Sequence, residues 1–134
     1  MGQPAPLHAR CTLPYYVVMQ GKDLDGNLLR GTLDFLLLAS LEDGPLYGLR
    51  IIQDVQDRTD GHFRFKEGTL YPALHRLEKR GWIVGEQRPS DAGGPPRKYY
   101  ELTEGGKTEL ARQREQQRAH ARALAPYLQL WRLA

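Results

Sequence analysis

The groups in this 134-residue chain that could carry out catalysis or hold a metal are four histidines, one cysteine and sixteen carboxylates. Their spacing favours neither chemistry. His8, His62, His75 and His120 are scattered, and no His-x-x-x-His or Cys-x-x-Cys pair occurs. No Gly-x-Gly-x-x-Gly run or serine nucleophile elbow is present. Glu67 and Glu78 fall on one helix but face no evident cleft. We therefore expect no enzyme activity, no metal and no cofactor. The side chains that do gather are cations. Residues 60 to 100 hold Arg64, Lys66, Arg76, Lys79, Arg80, Arg88, Arg97 and Lys98 against five acids, whereas residues 28 to 59 hold Arg30, Arg50 and Arg58 against five. Cations among polar and aromatic side chains suit phosphate and base edges.

The densest group lies on one helix. Leu70, Leu74 and Leu77, supported by Ala73, define a buried stripe over about Glu67 to Arg80. At about 100° per residue the opposite side carries Gly68, Pro72, His75, Arg76 and Lys79, with Thr69 and Tyr71 beside its N-terminal end. Lys66 stands just ahead. The first turn offers free N–H groups to a phosphate. Arg76 is expected to read a guanine edge or clamp phosphate, and Lys79 to touch phosphate. An ordinary solvated helix face has the same wheel. A second cationic cluster, Arg88, Arg97 and Lys98, stands at two strand–loop junctions with Tyr99 and Tyr100. One tyrosine of that pair should point inward and the other outward.

Other elements must position these groups. A first helix starts at Leu28, where Leu29, Leu33, Leu36, Leu37, Ser40 and Leu41 make an apolar stripe widened by Phe35 and Leu38. Asp43-Gly44-Pro45 ends it. A second helix covers about Tyr47 to Arg58, with Leu49, Ile52 and Val55 on one face and Ile51 beside them. Phe63-Arg64-Phe65 alternates like a very short strand. The third helix closes on Gly81. Residues 82–88 and 97–102 read as strands joined by a Gly/Pro-rich tip, residues 89–96. Thr103 caps a long final helix, in which Leu110, Ala121, Leu124, Leu128 and Trp131 form a heptad-like seam interrupted by Arg114 and Gln117. Pro126 is expected to kink or end that helix.

Helix, helix, helix, hairpin, long helix is the order of a mainly α winged helix-turn-helix, with three helices, a two-stranded β-hairpin wing and a C-terminal dimerisation helix. We divide the chain into a flexible N-terminal arm (1–27), a winged helix-turn-helix DNA-binding domain (28–102) and the dimerisation helix (103–134). Within the arm, Tyr15 to Val18 form a short apolar patch suited to docking. The net charge of +3 is too small to argue for nucleic acid by itself. Cys11 is alone, so no disulfide can form within the chain, which fits a reducing cytoplasm. The longest apolar run, residues 35–39, is too short to span a membrane, and no signal peptide is evident.

Gly68 to Ile83 resembles the signature of the PadR family of transcriptional regulators. Arg30-Gly31-Thr32-Leu33-Asp34, Gly44-Pro45-Leu46-Tyr47-Gly48 and Pro96 to Gly106 support the likeness, which covers about residues 28 to 110 in the family's order and spacing. The short tail is similar to the branch with one C-terminal helix. The resemblance implies a homodimer that binds double-stranded DNA at an inverted repeat and usually represses. It implies that Thr69, Tyr71, Pro72 and Arg76 enter the major groove and that Tyr47 and Gly48 approach the backbone. It implies contacts of Arg97, Lys98 and Tyr99 with phosphate or the minor groove. The last helix would swap packing with the partner's first helix and last helix, bringing in Leu33, Leu36 and Leu37. A small aromatic effector near that interface is also implied, with Trp131, Tyr127 and Leu128 beside Leu36 or Phe35. The competing reading is a winged-helix protein-interaction module that does not bind DNA; exposed aliphatics in place of the cations would favour it.

Overall fold

A computed structural model describes residues 17–19, 26–90 and 92–129, with side chains from residue 31 onward. Trp131, Tyr15, Tyr16 and the rest of the expected arm outside 17–19 and 26–27 lie outside the described residues.

Leucine at helical spacing builds the first helix, α1 (Gly26–Ser40). Leu33, Leu37 and Leu38 are all buried in it, so two sides face the core. The buried Ser40 hydroxyl donates to the Leu36 carbonyl at 2.9 Å, which removes the cost of an unpaired donor. After the turn, β2 (Leu46–Tyr47) leads directly into α2 (Gly48–Arg58). Here the buried pair is Ile51 and Val55, four apart, while Leu49 faces solvent and Ile52 is half-buried. Of the expected stripe only Val55 is fully buried, and Ile51, expected beside it, joins it in the core. Thr59 ends α2 by donating to the Val55 carbonyl at 2.7 Å and accepting from the Phe63 N–H at 3.1 Å.

Strand β3 (Phe63–Phe65) carries the chain into α3 (Glu67–Lys79), whose Leu70, Ala73, Leu74 and Leu77 are buried. Gly81 adopts φ 77°, a conformation costly for a residue with a Cβ. Its N–H donates to the Glu78 carbonyl at 2.9 Å, and the Trp82 N–H to that of Leu77 at 3.1 Å. This paired cap turns the chain sharply from α3 into β4 (Ile83–Arg88). Strand β5 (Arg97–Leu102) returns antiparallel to it, from Arg88 opposite Arg97 to Ile83 opposite Leu102.

The sheet has a third strand that sequence reading did not assign. β2 pairs antiparallel with β5, Leu46 opposite Tyr100 and Tyr47 opposite Tyr99, giving the order β2-β5-β4. A further strand, β1 (Val17–Met19), runs parallel to β3 in the region read as an arm without regular elements.

Thr103 begins α4 (Glu104–Leu128), its hydroxyl accepting from the Gly106 N–H at 3.0 Å. The 25-residue helix is about 37 Å long. It passes through Pro126 and ends at Leu128, with Gln129 left-handed at φ 59°. Pro126 therefore does not end it at once: the lost N–H falls in the last turn, where little helix remains to break. No described helix is long and apolar enough to cross a membrane.

Candidate nucleic-acid interface

Because Leu70, Leu74 and Leu77 bind α3 to the core, the remaining side of the helix must face outward. Gly68, Tyr71, Pro72, His75 and Lys79 are exposed there, Lys66 is exposed just ahead, and Thr69 is half-buried. No side chain caps the N-terminus at Lys66; the Thr69 and Leu70 N–H groups donate to the Lys66 carbonyl at 2.9 and 3.0 Å. Glu67 adds one carboxylate to that turn. Pro72 has no N–H, so the Gly68 carbonyl on this face lacks its helical donor.

Arg76 departs from the expected placement. It is half-buried on the flank toward α1, and its Nη2 lies 2.7 Å from Asp34 Oδ1. The guanidinium is spent on a bond between helices rather than offered to a base edge. Arg76→Ala and Asp34→Ala should each cost on the order of 1 kcal/mol of stability, read by urea unfolding. DNA affinity should fall far less for Arg76→Ala than for Lys79→Ala.

Gly48 is buried, and the reason is Tyr71. A Cβ at Gly48 would sit 2.6 Å from the Tyr71 hydroxyl oxygen, so the phenol of α3 rests directly on the first residue of α2. Gly48 supports Tyr71; it does not itself present a surface. The residue before it, Tyr47, belongs to the outer face of the sheet. Strand alternation puts Tyr47, Arg88, Arg97 and Tyr99 together on that face. The Arg97 guanidinium carbon is 4.3 Å from the Tyr47 ring centre and that of Arg88 is 5.4 Å from the Tyr99 ring. The two rings meet edge to face at 5.5 Å. Arg88 and Arg97 are cross-strand partners, and like charges so placed repel. Ring faces offset part of this, as does Glu86, 3.4 Å from Arg88. Among the described residues Arg97 meets no carboxylate.

Lys98 and Tyr100 take the opposite face. Tyr100 is buried, which settles it as the inward tyrosine, and burial pushes its phenol above the ordinary value. Lys98 Nζ is 3.2 Å from Glu78 Oε1 and 5.3 Å from the Tyr100 ring. Expected at a phosphate, Lys98 instead ties the wing to α3. Sequence reading missed the partners Asp34 and Glu78, which stand 42 and 20 positions from Arg76 and Lys98; no local signal marks such pairs.

The expected partner seam divides in two. Leu33, Leu37 and Leu110 are 3%, 0% and 3% exposed in the single chain. They are core residues with no side-chain surface left for a partner. Leu36 is half-buried beside Phe35 and Ala39. Ala121, Leu124 and Leu128 are exposed, the two leucines at 39% and 58%. Arg114 lies between these zones and bonds both Glu42 oxygens at 2.7 and 2.9 Å, which lowers the Glu42 pKa. The first half of α4 is thus docked on its own body, while the second half carries apolar side chains into solvent. Among the described residues no cluster of three His, Cys, Asp or Glu could hold a metal ion.

A family model described as "Transcriptional regulator PadR-like family" matches residues 37–112. Transcriptional regulator Rv3488 of Mycobacterium tuberculosis is 36% identical over 78 residues, which are 58% of this chain and 68% of that protein. A PadR family transcription regulator from Clostridium difficile has a similar structure, with TM-score 0.63 and 32% identity over 72% of this chain and 97% of its own. A transcriptional regulator from Clostridium thermocellum superposes with TM-score 0.66 and 29% identity, covering 75% and 97%.

Proposed function

The chain belongs to the PadR-like family of transcriptional regulators, and from that premise we propose that it is a cytoplasmic homodimeric repressor whose α3 enters the major groove of an inverted-repeat operator. Membership in that family makes it a regulator rather than an enzyme. One observation carries the DNA reading: a continuous path of contacts joins the outward side of α3 to the cationic face of the wing. It runs from Tyr71 onto Gly48, through the adjoining Tyr47, to Arg97 and Tyr99. A helix about 10–12 Å wide fits a groove about 12 Å wide. With α3 there, Lys66, Thr69, Tyr71, Pro72, His75 and Lys79 meet bases and phosphates. Tyr47, Tyr99, Arg88 and Arg97 meet the neighbouring backbone or minor groove.

Dimerisation is supported by the open stripe of Ala121, Leu124 and Leu128, which gains most by burial against a second copy. Leu36 borders an apolar groove of about 300 Å³ with Phe35, Ala39 and Val55. It is wide enough for partner side chains or for a small aromatic effector that would release the operator. The test is a titration of the full chain against DNA from upstream of its own gene, with the mass in solution measured in parallel. We expect a dimer and a complex that weakens steeply with salt. A monomer overturns the dimeric reading, and the absence of any salt-sensitive complex overturns the DNA reading.

A further inference from the structure

The DNA reading above brings α3 to the bases without saying which side chain tells one base from another, and the present inference rests on that reading. Counting about 100° per residue, Gly68, Pro72, His75 and Lys79 lie within about 30° of the line opposite the buried Leu70, Ala73, Leu74 and Leu77. Tyr71 and Arg76 stand about 70° to either side of that line. Each of these two is turned to another helix: the Tyr71 hydroxyl rests over Gly48 of α2, and the Arg76 guanidinium is bonded to Asp34 of α1. Thr69 is farther round still and half-buried. On the line itself only His75 and Lys79 have side chains that can hydrogen-bond.

The two differ in kind. Lysine is a flexible point charge that suits phosphate. His75 has a short, stiff ring that keeps at least one N–H donor in either protonation state. It is exposed, and among the described residues it makes no hydrogen bond, ion pair or ring contact. Toward the N-terminus its neighbours on the line are Pro72 and Gly68, which carry no polar side-chain atom and little bulk, so α3 can seat closely enough for a short side chain to reach a base edge. Along the axis His75 stands about 6 Å from Lys79 and about 14 Å from Lys66. The ring therefore lies between two exposed cations, where a base reader flanked by phosphate contacts belongs.

We propose that His75 is the specificity-determining residue of α3, its ring N–H donating to O6 or N7 of one guanine in each operator half-site. Guanine is the base whose major-groove edge fits a lone donor best, because it presents two adjacent acceptors. Adenine sets an amino donor beside its one acceptor, thymine crowds its acceptor with a methyl group, and cytosine presents a donor. Arginine is the usual partner of guanine. Here the arginine one position along the helix is held by Asp34, so the base edge falls to His75.

The experiment selects bound duplexes from a randomised pool of about 30 base pairs with the full natural chain, His75→Ala, His75→Gln and Arg76→Ala. Anisotropy titrations of the natural chain's selected duplex at several salt concentrations follow. The natural chain should fix a guanine at one position of each half-site. His75→Ala should lose the preference there and nowhere else. It should bind the natural duplex about twenty-fivefold more weakly, about fivefold for each half-site. Its salt slope should stay that of the natural chain, because no phosphate contact is removed. His75→Gln should move the preference to adenine, which glutamine meets with two bonds. Arg76→Ala should select the natural sequence. His75 is exposed and alanine favours helix, so the fold is kept. A guanine retained by His75→Ala overturns the assignment. So does a natural half-site with no fixed guanine, and so does a preference lost evenly across the half-site, the mark of a merely structural role. Each of these leaves α3 at DNA. A natural chain that enriches no sequence overturns the DNA reading itself.

Discussion

Replacing Lys66 and Lys79 together by alanine should weaken DNA binding by about three and a half orders of magnitude at 0.1 M salt. Both lysines are exposed on the outward side of α3, near its two ends. Among the described residues neither is committed to a carboxylate in the way Arg76 is to Asp34 or Lys98 to Glu78. A dimer loses four cations in the double variant, and four contacts at about 0.9 each give a slope shallower by about 3.6. The fold should be untouched, because exposed lysines on a helix surface contribute within about 0.5 kcal/mol to stability. Salt-dependent anisotropy reads both numbers. A double variant that keeps its slope would mean that α3 does not lie against phosphate. Lys98→Ala is the informative contrast. Its charge faces Glu78, so it should loosen the wing while changing the slope by less than one contact.

That contrast marks the limit of what the sequence made legible. Helix positions were readable because leucine at 70, 74 and 77 has one solution on a helix, and the side opposite followed by geometry. Gly81 and Thr103 announced the ends of their elements through local chemistry alone. Which cation was free was not readable. Arg76 and Lys79 are three residues apart on one helix, yet among the described residues only Arg76 pairs with a carboxylate on another element. A helical wheel holds no information about the neighbouring helix. The same reason explains Leu33 and Leu37. Their spacing specified burial but not whether the covering surface comes from this chain or a second one, and the core of this chain covers them. Leu46-Tyr47 was missed as a strand because two residues carry no period; only β5 beside them makes them one. Resemblance puts Gly48 at DNA, and the structure adds that the Tyr71 ring rests on it, so that a side chain there would have to displace that ring.

A second large effect is expected at Gly106, where the long helix leaves the body. The residue is buried in the first turn of α4, and a Cβ there would collide with the carbonyl of Trp82. That carbonyl cannot swing aside, because it already accepts from the Thr103 N–H at 3.0 Å. The Thr103 hydroxyl is meanwhile held by the Gly81 carbonyl at 2.6 Å and by the Gly106 N–H. The cap of α4, the turn after α3 and the start of β4 thus converge on the space Gly106 leaves empty. Gly106→Val has to lift α4 or break this junction. Overpacking costs about 1–3 kcal/mol where flexible side chains can yield; against backbone the loss should reach about 3 kcal/mol, measured as a lower urea midpoint. The consequence extends beyond stability. Arg114 and the stripe from Ala121 to Leu128 are aimed by the first turn of α4, so a tilt of that turn moves the far end of a helix about 37 Å long by several ångströms. We therefore expect Gly106→Val to weaken dimerisation in sedimentation experiments run below the unfolding transition. Val84→Ala, at an exposed strand position near the same junction, should leave both measurements nearly unchanged. If Gly106→Val unfolds and assembles like the natural chain, the aim of the long helix is set elsewhere than at this contact.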